Sequence, residues 1–585
     1  MKTIIYNKIK KLATIHFCLL ALGLLAVSCS DFFDVDSDHV AYVKNHEINT
    51  AGDTIYSVTG ILNQVQRLAD RSILLGEVRA DLVDVTANVH RDLKDIALFT
   101  DKEDNPYNNP RDYYNVINNC NYFINHVADS LKNNRNKYIF LNEIAAVKAI
   151  RAWTYLQLAL NYGEVPFFTE PLVTKELSDA EYPRKGVKEI CQFFIDDLNP
   201  YANDEKVGFP GYGNIKEMDS RLFFFPLNVV LGDLNLWAGN YKDAARCYYR
   251  YIATHNGMNS AYPTGMNAAT WSQTATDWTN YDVQTRSWLG QFSEESYGAN
   301  SELITMIPGN ENSAEGFSTD LPRLFGNGQA ATSVPSLVPS LGVEELSAAQ
   351  TYCFQPVTGD VVYVPHNLTG ILNGDLRLRA STLQMGDELR CNKNATSNVH
   401  IYRRTMVYAR LAEAMNASGY PRFAFAILSS GLNNTVLENE VIPYYRADST
   451  FLREFNFPVK DYVLATKFNN QGENTMGIHS RGCGFTPSNI FYQMPDDETI
   501  TDSLQRIAYQ QKAVETMLLD ENGLEFAFEG TRWYDLMRFA LRAGDPTILS
   551  SRVYGRRGMA NAGSMKAIIG RDINNPQNWY LPAEW

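Results

Sequence analysis

The hydrophobic positions of this chain follow helical spacing in three long segments. Residues 141–160 are apolar nearly all round, and small residues recur among them at intervals of three and four. That spacing predicts a buried helix with one face narrow enough for close contact with another helix. Gly163 and Pro166 come next, and both residue types commonly follow helix ends. The helix should therefore end near Tyr162.

Two further segments predict pairs of helices. Residues 227–252 and 402–428 each hold a helical run, a turn that reads Ala-Gly-Asn-Tyr or Ala-Ser-Gly-Tyr, and a second helix that carries alanines. Glycine permits the tight turn and alanines allow the paired helices to nest, as in a tetratricopeptide-like repeat. The period is irregular, so we expect degenerate repeats, with unrelated helical hairpins as the alternative. Both interpretations give a mainly α fold.

A different pattern fills the middle of the chain. Residues 256–300 are rich in Gly, Asn, Ser and Thr and show neither helical nor strand periodicity, which predicts a loop-rich region. Residues 301–308 read as a short strand, and Gly/Pro/Asn-rich sequence continues to about residue 343. Several large aromatic residues within the loop-rich region argue against disorder. They are Trp271, Trp278, Tyr281 and Trp288.

The N-terminus has the pattern of an export signal. Four lysines precede a mostly apolar run over residues 12–27, small residues follow, and Cys29 stands where cleavage is expected. We interpret residues 1–28 as a lipoprotein signal peptide and Cys29 as the lipidation site, so that acyl chains would hold the protein to a membrane. Ala26 stands where such signals usually carry Leu. An uncut signal anchor is the weaker alternative, because the apolar run is short for a span.

Composition excludes some classes of function. The 585 residues carry a formal net charge of −14, which disfavours nucleic acid as a partner, because phosphate binding needs clustered Lys and Arg. No second run is apolar enough to cross a bilayer. With 33 Tyr, 29 Phe and 8 Trp, the chain is rich in flat side chains that suit packing or stacking on sugars.

Motifs for catalysis are missing from the sequence. There is no H-E-x-x-H, G-x-S-x-G or Walker loop, and the nine His residues are dispersed. Adjacent acids such as Asp196-Asp197 are poor candidates for a glycosidase pair, because neighbouring side chains point apart. We expect no enzyme activity, cofactor or metal. The cysteines of the mature chain after Cys29 are scattered, which favours buried free thiols with at most one disulfide: Cys120, Cys191, Cys247, Cys353, Cys391 and Cys483.

Five segments, in the right order along nearly the whole mature chain, resemble the SusD/RagB family of outer-membrane glycan-binding lipoproteins. The start Cys-Ser-Asp-Phe-Phe-Asp-Val is similar to the family's mature N-terminus. Residues 143–168 and 408–416 are similar to its helical blocks, residues 525–538 to its block E-x-x-F-E-G-x-R-x-x-D-L-x-R, and the end NWYLPAEW to its closing segment. Residues 430–505 are longer than we expect in the family, and we interpret them as an insertion.

The spacing of apolar and charged residues within residues 525–538 predicts the role of this block without reference to the family. Its apolar residues Trp533, Leu536 and Met537 share one helical face with Ala540, while Arg532 and Asp535 lie one turn apart. We expect packing plus an ion pair between these two residues. The block is therefore interpreted as structural and not catalytic.

The resemblance implies a SusD-like domain over residues 29–585. Its helical scaffold would span about 50–255 and 400–545, and the loop-rich, ligand-facing region about 256–400. The family's binding surface combines an early loop with a central loop region, where aromatics on a rigid scaffold can stack on sugars. The corresponding candidates are Tyr107, Asn108, Tyr113, Tyr114, Trp271, Trp278, Tyr281 and Trp288. Packing within their own loops is as good an explanation for any one of these aromatics. Arg79 and Asp81 are candidate polar partners, although a local salt bridge explains them equally well.

By resemblance, the protein captures an oligosaccharide or polysaccharide at the outer membrane, faces the cell exterior, and serves a SusC-like TonB-dependent transporter as lid and receptor. One alternative keeps this architecture but makes the ligand a peptide, as in the RagB branch. Another is a tetratricopeptide-like adaptor that binds a protein partner and no small ligand.

Overall fold

A computed structural model gives the structure of the chain. It describes residues 47–204, 206–215, 217–254, 270–271, 283–284, 290–293, 302–327, 334–354, 361–363, 374–385, 388–429, 431–445, 449–457, 465–467, 473–475, 477–483 and 492–585.

Most of the described secondary structure is helical. The α-helices are α1 (Ala51–Val65), α2 (Ala69–Glu77), α3 (Arg91–Ala97), α4 (Pro110–His126), α5 (Leu141–Tyr162), α6 (Lys175–Ser178), α7 (Val187–Ala202), α8 (Leu227–Ala238), α9 (Tyr241–Thr254), α10 (Leu321–Leu324), α11 (Leu341–Ala348), α12 (Leu376–Ser381), α13 (Arg404–Ala417), α14 (Pro421–Ser429), α15 (Asn434–Val436), α16 (Ser503–Glu525), α17 (Arg532–Ala543), α18 (Thr547–Tyr554) and α19 (Ala562–Ile568).

The strands are short and pair two by two in antiparallel ribbons. They are β1 (Val83–Val85), β2 (Val165–Pro166), β3 (Arg184–Lys185), β4 (Asn214–Ile215), β5 (Met218–Asp219), β6 (Thr270–Trp271), β7 (Val283–Gln284), β8 (Leu303–Ile307), β9 (Leu337–Pro339), β10 (Tyr352–Phe354), β11 (Val361–Tyr363), β12 (Thr382–Met385), β13 (Glu388–Cys391), β14 (Val399–Arg403), β15 (Ala465–Lys467) and β16 (Glu473–Thr475). The pairs are β1 with β9, β2 with β3, β4 with β5, β6 with β7, β8 with β14, β10 with β11, β12 with β13, and β15 with β16. The mainly α prediction is therefore confirmed.

The predicted helix pairs form as expected. Helix α5 is buried along almost its whole length and ends before Gly163, which adopts a positive φ of 78°. Gly239 separates α8 from α9, and Gly419 lies between α13 and α14; both have φ of 89°. A residue with a side chain is strained in this conformation, which explains why glycine stands at each turn. The two pairs pack on each other through α9 and α13, and α7 packs on α8.

A network of buried charges crosses the core. The carboxylate of Glu525, at the end of α16, accepts hydrogen bonds from Arg377 (2.9 Å), Arg403 (2.8 Å) and Arg481 (2.7 Å). Glu529 accepts from Arg403 and from Lys393, each at 2.6 Å. Burial raises the pKa of Glu525, but the three guanidinium groups outweigh it and hold the pKa at about 2. The network joins parts of the chain that are far apart in sequence.

The prediction for residues 525–538 is confirmed in part. Trp533, Leu536 and Met537 are buried, as the shared helical face predicts. The predicted ion pair between Arg532 and Asp535 is wrong. Arg532 instead pairs with Asp81 at 2.7 and 2.8 Å, because the fold brings this carboxylate to it for two hydrogen bonds. Asp535 pairs at 2.7 Å with Arg538, which lies one helical turn further along.

The stretch interpreted as an insertion contributes to the core where it is described. Phe451, Leu452 and Phe455 are buried, and Arg481 and His479 belong to the buried charge network. Replacing or shortening this stretch would therefore disturb the scaffold.

Two further predictions concern the state of the cysteines and the presence of membrane-spanning helices. Cys120, Cys191, Cys247, Cys391 and Cys483 are buried free thiols, as predicted for them. Among the helices in the described ranges, none is both long and apolar enough to span a bilayer.

Candidate ligand-binding cavity

A cavity of about 680 Å³ opens where several helix ends meet. It is bounded by the end of α5, the start of α7, the turn between α8 and α9, the middle of α17 and the last residues of the chain. This volume is within the usual range for small-molecule sites. Most of its walls belong to helices, which hold the side chains on those walls in fixed positions.

Aromatic side chains form much of the cavity wall. Trp237 and Tyr241 come from the two sides of the α8–α9 turn, and Tyr580 and Trp585 come from the C-terminal segment. The first three are half-buried, and Trp585 is 39% exposed. Partly exposed rings in a concave site can stack on the apolar face of a ligand while their edges stay packed.

The arginines of α17 support two of these rings. The guanidinium carbon of Arg538 lies 5.3 Å from the ring centroid of Trp237, and that of Arg542 lies 5.8 Å from Tyr241. Both distances are within reach of a cation–π contact. Each arginine also lines the cavity, so a ligand would meet a ring and a guanidinium edge side by side.

Glu413 of α13 fixes both arginines. It accepts from Arg538 Nε at 2.7 Å and Nη2 at 2.6 Å, and from Arg542 Nη1 at 2.8 Å. Burial raises the pKa of Glu413, but the two guanidinium groups outweigh that effect and hold the pKa at about 2. The carboxylate therefore stays ionised at neutral pH and keeps both arginines in place.

Polar groups surround the opening of the cavity. Arg184, Lys188, Glu164 and Gln577 are exposed there. Guanidinium and ammonium groups donate hydrogen bonds, carboxylates accept them, and an amide does both. Such a set suits a ligand with many hydroxyl groups, each of which can donate and accept.

Two of the sequence-predicted residues lie directly behind the aromatic wall. The ring of Tyr114 contacts Trp585 edge-on at 6.0 Å, and Tyr113 contacts Tyr162 edge-on at 6.2 Å. Tyr162 in turn lies edge-on to Trp585 at 5.8 Å. Tyr113 is buried, and the hydroxyl of Tyr114 donates to the carbonyl of Pro166 at 2.8 Å. These tyrosines support the cavity wall and do not line it.

The neighbouring loop residues are placed differently. Asn108 is buried, and its amide donates to the carbonyls of Lys102 and Pro582. Tyr107 is half-buried, and the charges of Asp320 and Arg323 act on its hydroxyl. Burial, with a contribution from the Asp320 carboxylate, raises the pKa of Tyr107. The early loop and the described part of the central region therefore interact electrostatically at Tyr107.

Arg79 and Asp81 are buried within the scaffold. Arg79 donates to the carbonyl of Leu75 and to the side chain of Asn161. Asp81 pairs with Arg532 and not with Arg79. The contacts of Arg79 and Asp81 favour a structural role over contact with a ligand. The salt bridge of Asp81 is formed with a residue distant in sequence and not with a local one.

Most of the aromatic candidates in the central loop region lie outside the described residues. Trp278, Tyr281 and Trp288 lie outside the described residues, and Trp271 is the second residue of β6. The cavity rings at positions 237, 241, 580 and 585 were not among the sequence candidates. The available signal was the pair of aromatics on the two sides of the turn between α8 and α9.

The described residues show no arrangement that suggests metal chemistry. No group of three or more His, Cys, Asp and Glu side chains in the described part of the chain is placed to hold a metal ion. The groups that line the cavity are rings, guanidinium edges and a polar rim.

Comparison with known proteins adds a family model and a fold. Residues 492–581 match the model of the SusD family. A SusD superfamily protein from Bacteroides thetaiotaomicron has 15% identity and a TM-score of 0.52, over 90% of this chain and 97% of that one. A SusD-like carbohydrate-binding protein from Bacteroides fragilis has 14% identity and a TM-score of 0.51, over 84% and 87%.

Surface glycan-binding protein A from Bacteroides uniformis is similar as well, with 14% identity and a TM-score of 0.51 over 87% of this chain and 94% of that one. At these identities the likeness concerns the fold. A comparison with curated proteins gives no match. The resemblance read from the sequence motifs is confirmed by the family model over residues 492–581, and the solved structures show that the fold of the chain is SusD-like.

Proposed function

We propose that the chain binds an oligosaccharide at the cell surface without cleaving it, because residues 492–581 match the SusD family model and the fold is SusD-like. The observation that carries this proposal is the cavity of about 680 Å³, where Trp237, Tyr241, Tyr580 and Trp585 stand next to the guanidinium groups of α17. Sugar rings present apolar C–H faces and polar edges, and this wall offers partners for both. The names of similar proteins, a carbohydrate-binding and a glycan-binding protein, agree with the same chemistry.

The early loop and the central loop region form a second part of the proposal. Tyr107, beside Asp320 and Arg323, would contact the ligand together with Trp271, Trp278, Tyr281 and Trp288. Aromatics on loops above a rigid scaffold can adapt to longer chains of sugar. Substituting Trp278 with Ala would weaken glycan binding if this surface contributes.

Delivery to a transporter completes the proposed function. Acylation at Cys29 would hold the protein at the outer membrane, facing outwards, where it would act as lid and receptor for a SusC-like TonB-dependent barrel. Mass spectrometry of the mature N-terminus tests the lipid, with Cys29→Ala as control. Co-purification with a large outer-membrane barrel supports the transporter role, whereas a soluble partner alone supports an adaptor.

Isothermal titration tests the choice of ligand. The protein is titrated with a panel of oligosaccharides and, separately, with a panel of peptides. We expect heat from at least one oligosaccharide and none from peptides. Binding of peptides without any glycan binding would contradict the proposal and favour the RagB-type alternative.

A further inference from the structure

An exposed hairpin joins α4 to α5. In residues 130–139, the amide of Ile139 donates to the carbonyl of Leu131 at 3.0 Å, and Asn133 donates to Lys137 at 2.9 Å. The side chain of Asn133 accepts from the amides of Arg135 and Lys137 at 2.9 and 3.1 Å. These bonds close a tight turn and give a protruding element of fixed shape, which we call the basic hairpin.

The basic hairpin exposes apolar side chains that most proteins would bury. Leu131 is 37% exposed, Tyr138 is 49% exposed and Ile139 is 44% exposed. Single exposed apolar residues are ordinary, but here three of them lie on one short turn, Leu131 with Ile139 on one side and Tyr138 on the other. This concentration favours contact with something outside the described fold.

The same hairpin concentrates positive charge. It carries Lys132, Arg135 and Lys137 and no acidic residue, although Asp129 stands at its base and the whole chain has a net charge of −14. None of the three cations is within 4.0 Å of a carboxylate among the described residues. The ammonium group of Lys132 lies 4.5 Å from the ring centroid of Tyr138, so charge and ring form one surface.

This combination is complementary to a bilayer with anionic headgroups. Basic side chains attract lipid phosphates, each contributing at short range, while tyrosine and aliphatic side chains enter the interfacial layer. Folded proteins with acidic surfaces would attract the charges equally, but they offer no fluid apolar layer for Leu131, Tyr138 and Ile139. The paired features therefore favour a membrane over a protein partner.

The start of the described chain lies beside the helices that carry the hairpin. The first described helix, α1, packs against both α4 and α5, the helices that the hairpin joins. This step rests on the proposed lipidation at Cys29.

We propose that the basic hairpin lies against the phosphate-bearing headgroups of the membrane that holds the protein. The contact would fix the orientation of the protein on its tether, with the apolar residues in the interface and the three cations at the phosphates. Salt would weaken it, because the charges are exposed.

A site-specific fluorescent probe tests the contact. Tyr138→Cys in the full acylated chain is labelled with an environment-sensitive dye, and Tyr509→Cys, 41% exposed on α16, is the matched control. Unsubstituted protein gives the labelling background. The proteins are mixed with vesicles of phosphatidylcholine alone and of phosphatidylcholine with 30% phosphatidylglycerol, a composition chosen to supply about one anionic lipid in three.

We expect a blue shift and stronger emission at position 138 with anionic vesicles, and little change at position 509. Replacing Lys132, Arg135 and Lys137 by Gln should shift the docking equilibrium by about 100-fold, so the response disappears. An equal response at both positions, or a response at 138 that the triple variant keeps, would overturn the proposal. So would a blue shift that needs an outer-membrane protein and does not occur with pure lipid.

Flotation with neutral vesicles separates this proposal from the anchor. Protein that floats with phosphatidylcholine but shows no response at position 138 on anionic vesicles is anchored without hairpin contact. Protein that does not float, yet responds at 138 on anionic vesicles, keeps the hairpin contact and contradicts lipidation.

Discussion

The charge network around Glu525 and the wall of the cavity use the same types of side chain for different purposes. Around Glu525, three arginines and their carboxylates are all buried, and each guanidinium group has acidic partners. At the cavity, Arg538 and Arg542 are likewise held by a buried glutamate, but each also lines an open space beside a partly exposed ring. The difference between the two regions is access to solvent.

This difference separates residues that hold the fold from residues that we propose contact a ligand. The segment at residues 525–538 supplies both kinds of residue. Its first half belongs to the charge network, and Arg538 at its end lines the cavity. Substitutions in the network should therefore change stability, and substitutions of the cavity rings should change binding.

Removing the centre of the network should have the largest effect. Glu525→Ala would leave three buried guanidinium groups without a shared partner, which we expect to lower the free energy of unfolding by roughly 3–5 kcal/mol. Urea unfolding measures this. Glu438→Ala is the control, because Glu438 pairs with Arg453 at 3.5 Å on the surface and should change stability by less than about 1 kcal/mol. An equal loss of unfolding free energy in both variants would contradict the claim that the network stabilises the fold.

Two buried glutamates should respond to pH in opposite directions. Burial raises the pKa of Glu77 from 4.5 to about 7, while Gly530 donates to one of its oxygens at 2.8 Å. Between pH 4.5 and 7 the unfolded state loses its proton first, so stability falls as pH rises, by about 3 kcal/mol. Glu77→Gln should thus be more stable than the parent protein at pH 8, and the difference should vanish near pH 4.

The matched case is Glu413, whose pKa is lowered to about 2. Its stabilising contribution is present above pH 4.5 and is lost as pH falls towards 2. Glu413→Gln should destabilise the protein at pH 7 and much less near pH 2. Unfolding curves at several pH values that show the same sign for both variants would contradict these assignments.

The glycine of the family motif should be more sensitive than a glycine at an open turn. Gly530 and Gly544 both have positive φ, 82° and 65°, but a Cβ on Gly530 would lie 2.1 Å from the carbonyl oxygen of Ser72, whereas nothing is within 4 Å at Gly544. We expect Gly544→Ala to cost about 1 kcal/mol and Gly530→Ala roughly 2 kcal/mol more. Thermal unfolding of the two variants compares them directly.

Local structure was predictable from this sequence because its causes are local. The bounds of α5, the glycine turns at positions 239 and 419 and the strand at residues 303–307 follow from spacing and from residue types within a few positions. Partners distant in sequence were not predictable. Asp81 lies 451 residues before Arg532, so nothing near the motif indicated this pair.

The cavity escaped prediction for the same reason. Its rings come from the α8–α9 turn and from the C-terminal segment, which meet only after the chain has folded. The sequence did indicate the layer behind it, because Tyr113 and Tyr114 were singled out and both pack against rings that border the cavity.

The most direct test compares ligand binding by two variants, each of which loses one large aromatic side chain. Trp237→Ala and the surface control Tyr56→Ala, whose ring is 80% exposed on α1, are titrated calorimetrically with the oligosaccharide that binds the parent protein. Removing a central aromatic contact typically costs 1–2 kcal/mol or more, so we expect Kd to rise by about tenfold or more for Trp237→Ala and to stay unchanged for Tyr56→Ala. Unchanged affinity in a folded Trp237→Ala protein would contradict the assignment of this cavity as the glycan site.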